Sequence, residues 1–584
     1  MPIISDYIKL YNIINKKSIV AYLNLSIIII FFQGGVYASQ LHVKINDPIY
    51  VYMDRLSTQG VLPSYMNATL PITRDYIAEM LNVLDENRGN LSVVDQKILD
   101  EFLADYTYEL KDKSYFQLKD GGNTYHPFKS WKTVNRGFKD LVGYTPNQEE
   151  HHLAVYQNKD DLIWLDIGGM ARYEKREVNS RLPYSYHFSL SVLLGNYFSI
   201  FSDADLYSMV YNSKFSEYPD EFKGGYPLYH EGFYGYDTEI SFEYAHAYIQ
   251  HSSNIGNIAL KVEPLLWGNG KIPIILSDNV PPFAMLSWDK KLGNSKFSFF
   301  YGFILPAESD TMINGLITNE SKYLVGHRWE ITATDKLQLA FTEMLVYGGR
   351  DPELVYFLPT IFLWPVQHNM TSQSGDNILW FFEGQYSPIN GFKLYGTFMI
   401  DELKTSEIFN DWFGNRWAAQ VGTHVAGNIL SYPTDIRLEW TAVRPWAYTH
   451  RVPIYGTYTH NGRCMGFEHG PNSQLFLLEN RWWVNTRNRL NISFEQLKWG
   501  KEPEADMVDN FDFGNNPNEN YTSANSDYHY KTKWLIGDIQ TTQTVRFLWE
   551  YQFSNIIGLE LGFAHIKEMD ESLNTMSIQV NVDY

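Results

Sequence analysis

The end of the chain alternates strictly between apolar and polar side chains. The apolar positions finish on an aromatic residue and are Met576, Ile578, Val580, Val582 and Tyr584. The positions between them are all polar, namely Ser577, Gln579, Asn581 and Asp583. A period of two belongs to a β-strand, which turns successive side chains to opposite faces. The same alternation recurs at 163–174, 297–303 and 436–441, so the sequence predicts a mainly β fold.

Alternation leaves two architectures open, a soluble sandwich and a membrane barrel. Phe, Trp and Tyr make up 16% of the chain, whereas charged residues make up only 20%. Mean hydropathy is nevertheless −0.30, as expected where lipid-facing and lumen-facing side chains alternate and cancel in the average. A final strand that ends on an aromatic residue is also typical of outer-membrane barrels, in which it closes against the first strand. Composition and pattern together favour a large antiparallel transmembrane β-barrel.

Residues 1–38 have the order of a cleaved secretory signal peptide. Lys9, Lys16 and Lys17 precede an apolar stretch at 19–32, and residues 36–38 give a small-x-Ala cleavage site. An uncleaved anchor helix is the weaker alternative, because the apolar run is short for a bilayer and is interrupted by polar residues. No later stretch is apolar enough to span as a helix, and such an exported chain enters a membrane only as a closed barrel. We therefore expect Sec-type export to the bacterial outer membrane, whose lipid is one partner.

Residues 39–145 are predicted to form a periplasmic helical domain and linker. A helix with Thr73 as its N-cap is indicated by an apolar stripe at Ile77, Met80, Leu81 and Leu84. A second helix begins at Ser92, where Asp95 three residues later resembles a capping box. A less regular first helix is expected over 47–60. Because each helix has one apolar face, we predict a small bundle that can pack against a larger body.

Residues 146–584 are long enough for about 16–20 strands, if a tilted spanning strand takes about 9–11 residues and connections double that length. An even number is expected. Two segments are predicted to be long outer loops, a tyrosine-rich one at 202–237 and an acidic, Asn-rich one at 502–527. Long loops belong on the outer face of such barrels and short turns on the periplasmic face.

Charge and motif content exclude several functions. The formal net charge of −20 argues against nucleic acid as a partner, because phosphate binding needs clustered Lys and Arg. The single cysteine, Cys464, excludes intramolecular disulfides and multi-cysteine metal sites. His450, His460 and His469 are spaced ten and nine residues apart, which matches no compact metal-ligand pattern. The sequence lacks G-x-S-x-G, P-loop and H-E-x-x-H motifs, so we predict a non-enzymatic protein without cofactor or metal.

A series of short motifs occurs in order along the chain. The most specific are RPWAYTH at 444–450, YTHNG at 458–462 and GFEHGPNS at 466–473. The others are WGNG at 267–270, LSDNVPPF at 276–283, LAFTEM at 339–344, YGGR at 347–350, YG at 395–396, IDE at 400–402 and PITR at 71–74. Together they resemble the Wzi-type capsule-assembly family of outer-membrane proteins, in which a second Asp stands where this chain has Glu402. The matching islands span most of the mature chain.

This resemblance implies an N-terminal helical bundle at the periplasmic end of an 18-stranded barrel. It also implies a lectin-like function, in which the protein holds capsular polysaccharide or exopolysaccharide at the cell surface.

Polysaccharide binding needs flat apolar faces for sugar C–H surfaces and polar groups for the hydroxyls. The candidate glycan-binding residues are Tyr207, Tyr211, Tyr226, Tyr229, Tyr234, Arg437, Glu439, Tyr448, His450, Tyr458, His460 and His469. For the tyrosines, the alternative is a place in an aromatic girdle or in the core of the loop itself. For Arg437 and Glu439 the alternative is structural ion pairing inside the lumen.

Two other functions compete with the glycan anchor. A diffusion porin for small solutes predicts an open lumen and ion conductance, whereas the anchor predicts a blocked lumen. An adaptor that docks periplasmic export machinery through its helices is the third. The helical domain favours the anchor, because a simple porin needs no such domain.

Overall fold

The computed structural model describes most of the chain beyond residue 39. The described residues are 40–62, 65–110, 143–146, 152–157, 161–195, 197–211, 226–227, 239–307, 312–313, 316–317, 321–370, 375–407, 412–429, 431–501, 514–518 and 534–583. The predicted signal peptide, Tyr229, Tyr234 and most of the 502–527 segment lie outside them.

Eighteen antiparallel strands form a closed barrel, in which each strand pairs with the next along the chain. Their bounds are β1 Asp161–Arg176, β2 Asn179–Leu194, β3 Phe198–Tyr211, β4 Glu239–Ser253, β5 Gly256–Glu263, β6 Phe283–Leu292, β7 Ser295–Ile304, β8 Lys322–Thr334, β9 Leu337–Gly348, β10 Asn377–Ile389, β11 Phe392–Glu402, β12 Arg416–Ile429, β13 Tyr432–Val443, β14 Ser473–Asn485, β15 Asn488–Lys501, β16 Asp538–Gln552, β17 Ile557–Glu568 and β18 Glu571–Asp583. The last strand pairs with the first, from Thr575 opposite Arg176 to Asp583 opposite Gly168, and so closes the barrel. The predicted fold class is confirmed.

The alternation in sequence becomes an alternation between the outer surface and the lumen. On β18 the apolar set faces outward, with Met576 60% and Ile578 52% exposed. The alternating polar residues Gln579 and Asn581 face the lumen and contact Glu560 of β17. An apolar outer surface of this kind is unfavourable in water and favourable against lipid.

The connections differ between the two ends of the barrel. At one end, here the short-turn end, all eight connections between strands are two to four residues long. The opposite end, the long-loop end, holds seven long loops, among them the β5–β6 loop (264–282), the β9–β10 loop (349–376) and the β13–β14 loop (444–472). β1 begins and β18 ends at the short-turn end.

Three helices precede the barrel and lie in the segments where the sequence predicts them. They are α1 Pro48–Thr58, α2 Arg74–Glu86 and α3 Val93–Asp105, followed by the single turn α4 Thr107–Leu110. The Ser92 hydroxyl accepts a hydrogen bond from the backbone N–H of Asp95 (3.0 Å), which satisfies a free donor in the first turn of α3. Shorter elements occur in the loops, including α5 Leu363–Met370 and α6 Pro453–Gly456. Within the described part of the chain, no helix is long and apolar enough to cross a bilayer.

The helical bundle docks into the short-turn end of the barrel. Trp483 of β14 belongs to the apolar core of the bundle. The Thr58 carbonyl at the end of α1 accepts a hydrogen bond from the backbone N–H of Gly391 in the β10–β11 turn (2.8 Å). After α1, Thr69–Leu70 forms a two-stranded sheet with Leu266–Trp267 of the β5–β6 loop. The bundle and a loop from the opposite end therefore meet inside the barrel.

One sequence expectation is corrected. Tyr207 and Tyr211 belong to strand β3 and not to a loop, because β3 continues its pairing with β4 past the start of the tyrosine-rich segment.

Candidate functional site

The lumen has two unlike sides. The lumen-facing side chains of β7–β14, here called the packed arc, are largely buried, and Arg328, Met344 and Gln420 are each 0% exposed. The lumen-facing side chains of β15–β18, here called the polar wall, are mostly half-exposed. The difference arises because the bundle and two inward-folded loops cover the packed arc.

Asp54 of α1 is the electrostatic centre of the contact between the bundle and the packed arc. Its carboxylate forms an ion pair with Lys393 of β11 and lies 2.9 Å from Arg437 Nη2 and 3.2 Å from His424 Nδ1. Burial alone raises the pKa of Asp54, but the adjacent Lys393, His424 and Arg437 outweigh it and hold the pKa well below its usual range. Asp54 therefore stays ionised and attaches α1 to the barrel.

A second polar contact lies at the same level of the lumen. The Arg328 guanidinium on β8 pairs with Glu383 and donates from Nε to the Thr69 hydroxyl (2.6 Å). The Thr69 hydroxyl in turn donates to Glu330 (2.7 Å). All four side chains are buried, and the Arg328 charge lies beside the carboxylates of Glu383 and Glu330, as buried charges require.

The β5–β6 loop occupies the lumen above the bundle, and Glu439 holds it there. The Glu439 carboxylate accepts hydrogen bonds from the Lys271 backbone N–H (2.8 Å) and from the Tyr395 hydroxyl (2.8 Å). Gln420 Nε2 donates both to Glu439 (3.1 Å) and to the Ile272 carbonyl (2.8 Å). Both carboxylate oxygens of Glu439 therefore accept hydrogen bonds from other parts of the chain.

Tyr448 and Tyr458 of the β13–β14 loop hold the other side of this inward loop. Their rings stack at 5.7 Å, and their hydroxyls donate to the carbonyls of Ile274 and Ile275, each at 2.8 Å. Both tyrosines are 0% exposed, and burial raises the pKa of each well above its usual range. The backbone of Tyr448 has a positive φ of 68°, a conformation that these contacts stabilise.

The three histidines of the β13–β14 loop do not share one site. His460 accepts a hydrogen bond at Nδ1 from the Leu305 backbone N–H (2.8 Å), and His450 accepts one from Val452 N–H (3.3 Å). Burial lowers the pKa of both to about 3, with a further contribution from nearby cations, so both are neutral near pH 7. His469 is half-buried and lies 3.3 Å from the Glu468 carboxylate.

The candidate residues named from sequence thus divide into two regions. The β5–β6 loop brings together Glu439, Tyr448 and Tyr458, and Arg437 lies on the same strand as Glu439. Tyr207 contacts Tyr244 on the opposite side of the barrel, at a ring distance of 5.3 Å. Tyr211 is buried beside Met209, and Tyr226 lies in a two-residue strand paired with β4.

The polar wall is a second candidate surface, which the sequence did not indicate. Arg489 Nε lies 3.1 Å from Glu550, with both side chains over a quarter exposed. Arg546 pairs with Glu495, and the Arg546 side chain is 47% exposed. The wall therefore presents paired charges of both signs to solvent.

Amide groups continue the wall toward β18. Glu560 accepts hydrogen bonds from Gln579 Nε2 (3.2 Å) and from Asn581 Nδ2 (2.6 Å). Beyond the barrel closure, Arg172 Nη1 of β1 lies 3.5 Å from Gln579 Oε1. The signal that could have indicated this surface is the polar half of the alternation in the last strands, which by itself predicts only strands with one polar face.

One group of described side chains has the composition of a metal site. Ligand atoms of Asp203, Asp205 and His246, which face the lumen on β3 and β4, lie within 4.8 Å of one another. The ammonium of Lys44 is 2.7 Å from Asp203 Oδ2. The Lys44 ammonium therefore already occupies the position next to the Asp203 carboxylate.

No family model matches the chain, and no curated protein matches it. Among solved structures, the chain is similar to Wzi of Escherichia coli, described as an outer-membrane carbohydrate-binding β-barrel involved in group 1 capsule assembly. The TM-score is 0.54 at 12% identity, over 92% of this chain and 98% of that chain. OprD of Pseudomonas aeruginosa follows at a TM-score of 0.38 and 10% identity, over 72% and 95%. OpdK with vanillate, from the same organism, has a TM-score of 0.41 and 8% identity, over 72% and 98%. The match to Wzi shows that the chain has the fold of an outer-membrane barrel.

Proposed function

We propose that this chain is a non-enzymatic barrel of the bacterial outer membrane that binds surface polysaccharide at its polar wall and so anchors capsule or exopolysaccharide to the cell. The observation that carries the proposal is the asymmetry of the lumen. The packed arc is filled by protein, whereas the polar wall presents half-exposed carboxylates, amides and guanidinium groups. Sugar hydroxyls both donate and accept hydrogen bonds, and a surface carrying donors and acceptors suits them.

The orientation follows from the connections. Short turns lie on the periplasmic side of outer-membrane barrels and long loops on the outer side. The docked bundle then faces the periplasm, and polysaccharide reaches the polar wall from the long-loop end. The distant likeness to a carbohydrate-binding barrel supports this proposal through the fold alone.

A diffusion porin is the competing function. The bundle and the β5–β6 loop both occupy the lumen, and the side chains of Asp54, Arg328 and Glu439 that join them to the barrel wall are buried. This arrangement favours binding over free diffusion. We expect purified protein to give no stable conductance steps in planar bilayers, and reproducible open channels would favour the porin.

The anchoring role is tested in cells of the producing strain. Deleting the gene should release polysaccharide into the medium, and wild-type protein should restore its retention. The variant Q579A/N581A should not restore it, whereas Lys404→Ala, in an exposed loop, should. Unchanged retention in the deletion strain would refute the proposal.

A further inference from the structure

The β9–β10 loop folds back over the outside of the barrel instead of extending away from it. Its residues 349–370, here called the outer-wall segment, cover outward-facing side chains of β7–β10. The covered residues are Phe299, Tyr301, Tyr323, Val325, Leu345, Tyr347 and Ile378, all 9% exposed or less. They form one apolar cluster with Tyr356, Leu363 and Val366 of the segment. On the same strands, the outward-facing Trp329 and Phe382 are 55% and 44% exposed.

A carboxylate on the outer face of the barrel fixes this arrangement. Glu343, the seventh residue of the twelve in β9, points outward, yet it is only 2% exposed. It accepts hydrogen bonds from the backbone N–H groups of Leu363 (2.8 Å) and Trp364 (3.1 Å), and from Trp380 Nε1 (3.0 Å). The first turn of α5 therefore satisfies a charge that would otherwise face hydrocarbon.

The segment is also held at the rim of the barrel. Asp376 binds the Arg350 guanidinium and accepts a hydrogen bond from the Tyr356 hydroxyl (2.8 Å). The ring of Phe357 stacks on that of Tyr301 with centroids 3.8 Å apart. Polar contacts at the rim and apolar contacts below it together keep the segment against the outer wall.

The free face of the segment is apolar. Leu354, Leu358, Phe362 and Trp364 are 82%, 53%, 69% and 46% exposed, and residues 354–370 include no Asp, Glu, Lys or Arg. Exposed apolar patches of this kind mark contact with a partner or a membrane. This face is continuous with the outward apolar side chains of the neighbouring strands, and it lies beside the middle of β9.

We propose that the outer-wall segment is embedded in the membrane and that its free face contacts the acyl chains of the outer leaflet. The inference rests on the proposed function only in that the barrel spans a membrane. The bilayer is the occupant that fits, because the patch lacks charge and continues the lipid-facing surface of the strands. The loop is therefore a part of the membrane-inserted body that the strand pattern does not reveal.

The test uses nitroxide-labelled cysteine variants of the full protein in lipid vesicles. Leu358→Cys and Phe362→Cys report on the segment, with Leu354→Cys as a further position if one of them fails to fold. Phe382→Cys is the control on a lipid-facing strand, and Lys404→Cys is the control in water. The native Cys464 is buried, and labelled wild type supplies the blank.

Collision rates are measured with oxygen, which concentrates in lipid, and with a water-soluble nickel chelate. We expect the segment labels to match the Phe382→Cys label, with the ratio of oxygen to nickel collisions at least tenfold above that of Lys404→Cys. Segment labels that match Lys404→Cys, while the Phe382→Cys label lies in lipid, would overturn the inference alone. If the Phe382→Cys label also collides mainly with nickel, the membrane barrel and the proposed function fail together.

Discussion

Asp54 offers the sharpest test of how the bundle is held in the barrel. Asp54→Asn keeps the shape of the side chain but removes its charge, and it deprives the buried Lys393 and the half-buried Arg437 of this carboxylate. His424 keeps a second carboxylate, because its Nε2 lies 3.5 Å from Asp435. The variant should therefore loosen α1 without opening the strands that close the barrel.

The size of the effect follows from the burial of these groups. Asp54 is 7% exposed, and removing one partner of a buried ion pair costs about 3–5 kcal/mol. Because Asp435 compensates part of the loss, we expect the lower value, about 3 kcal/mol. At about 1.4 kcal/mol for each factor of ten, the local opening of α1 should become roughly 100-fold more frequent.

Hydrogen exchange of the protein in detergent micelles measures this opening peptide by peptide. Peptides of α1 should lose protection in Asp54→Asn, while peptides of β15–β18 should not change. The matched control is Asp85→Asn in α2, whose side chain is 49% exposed and pairs with Arg88. Such a surface pair is worth about 0–1 kcal/mol. Equal protection of α1 in the two variants would refute the account of the contact.

Three further predictions concern the β13–β14 loop. Burial lowers the pKa of His450 and His460 to about 3 in the folded state. The free energy of unfolding should therefore be highest above pH 6.5 and should fall as the pH drops from 6.5 toward 4, by up to about 2.7 kcal/mol per pH unit. Unfolding midpoints in urea should show this decrease, and the double variant His450→Gln/His460→Gln should show a weaker dependence on pH. Burial raises the pKa of the Cys464 thiol to about 12, so a maleimide should label it at pH 8 only after heat unfolding, and rapid labelling of the folded protein would contradict the buried position. Tyr458→Phe leaves the Ile275 carbonyl without its donor and should cost about 1–3 kcal/mol of unfolding free energy; an unchanged midpoint would show that this contact does not stabilise the loop.

The sequence predicts the barrel well because each strand is specified by a pattern of neighbouring residues. Alternation at 576–584 and at 163–174 decides which side chains face lipid, and the first turn of α3 follows from Ser92 and Asp95. The resemblance to a known family supplied the strand count, which the length only bounded.

Contacts between distant parts of the chain could not be predicted in the same way. Arg437 is visibly a polar residue in a strand, but its partner Asp54 is 383 residues away. Tyr448 and Tyr458 belong to conspicuous motifs, yet the structure uses their hydroxyls to hold backbone carbonyls of another loop. The outer-wall segment was missed because an apolar loop has no period that shows which surface it covers.

The most direct test of the central claim is a calorimetric titration of the producing strain's purified polysaccharide into the protein in micelles. Wild-type protein and Lys404→Ala should bind with the same affinity, and Q579A/N581A should bind roughly 5- to 140-fold more weakly, since each lost hydrogen bond contributes about 0.5–1.5 kcal/mol and about 1.4 kcal/mol corresponds to a factor of ten. Equal binding by all three proteins, or no binding by wild type, would contradict the assignment of the polar wall as the polysaccharide site.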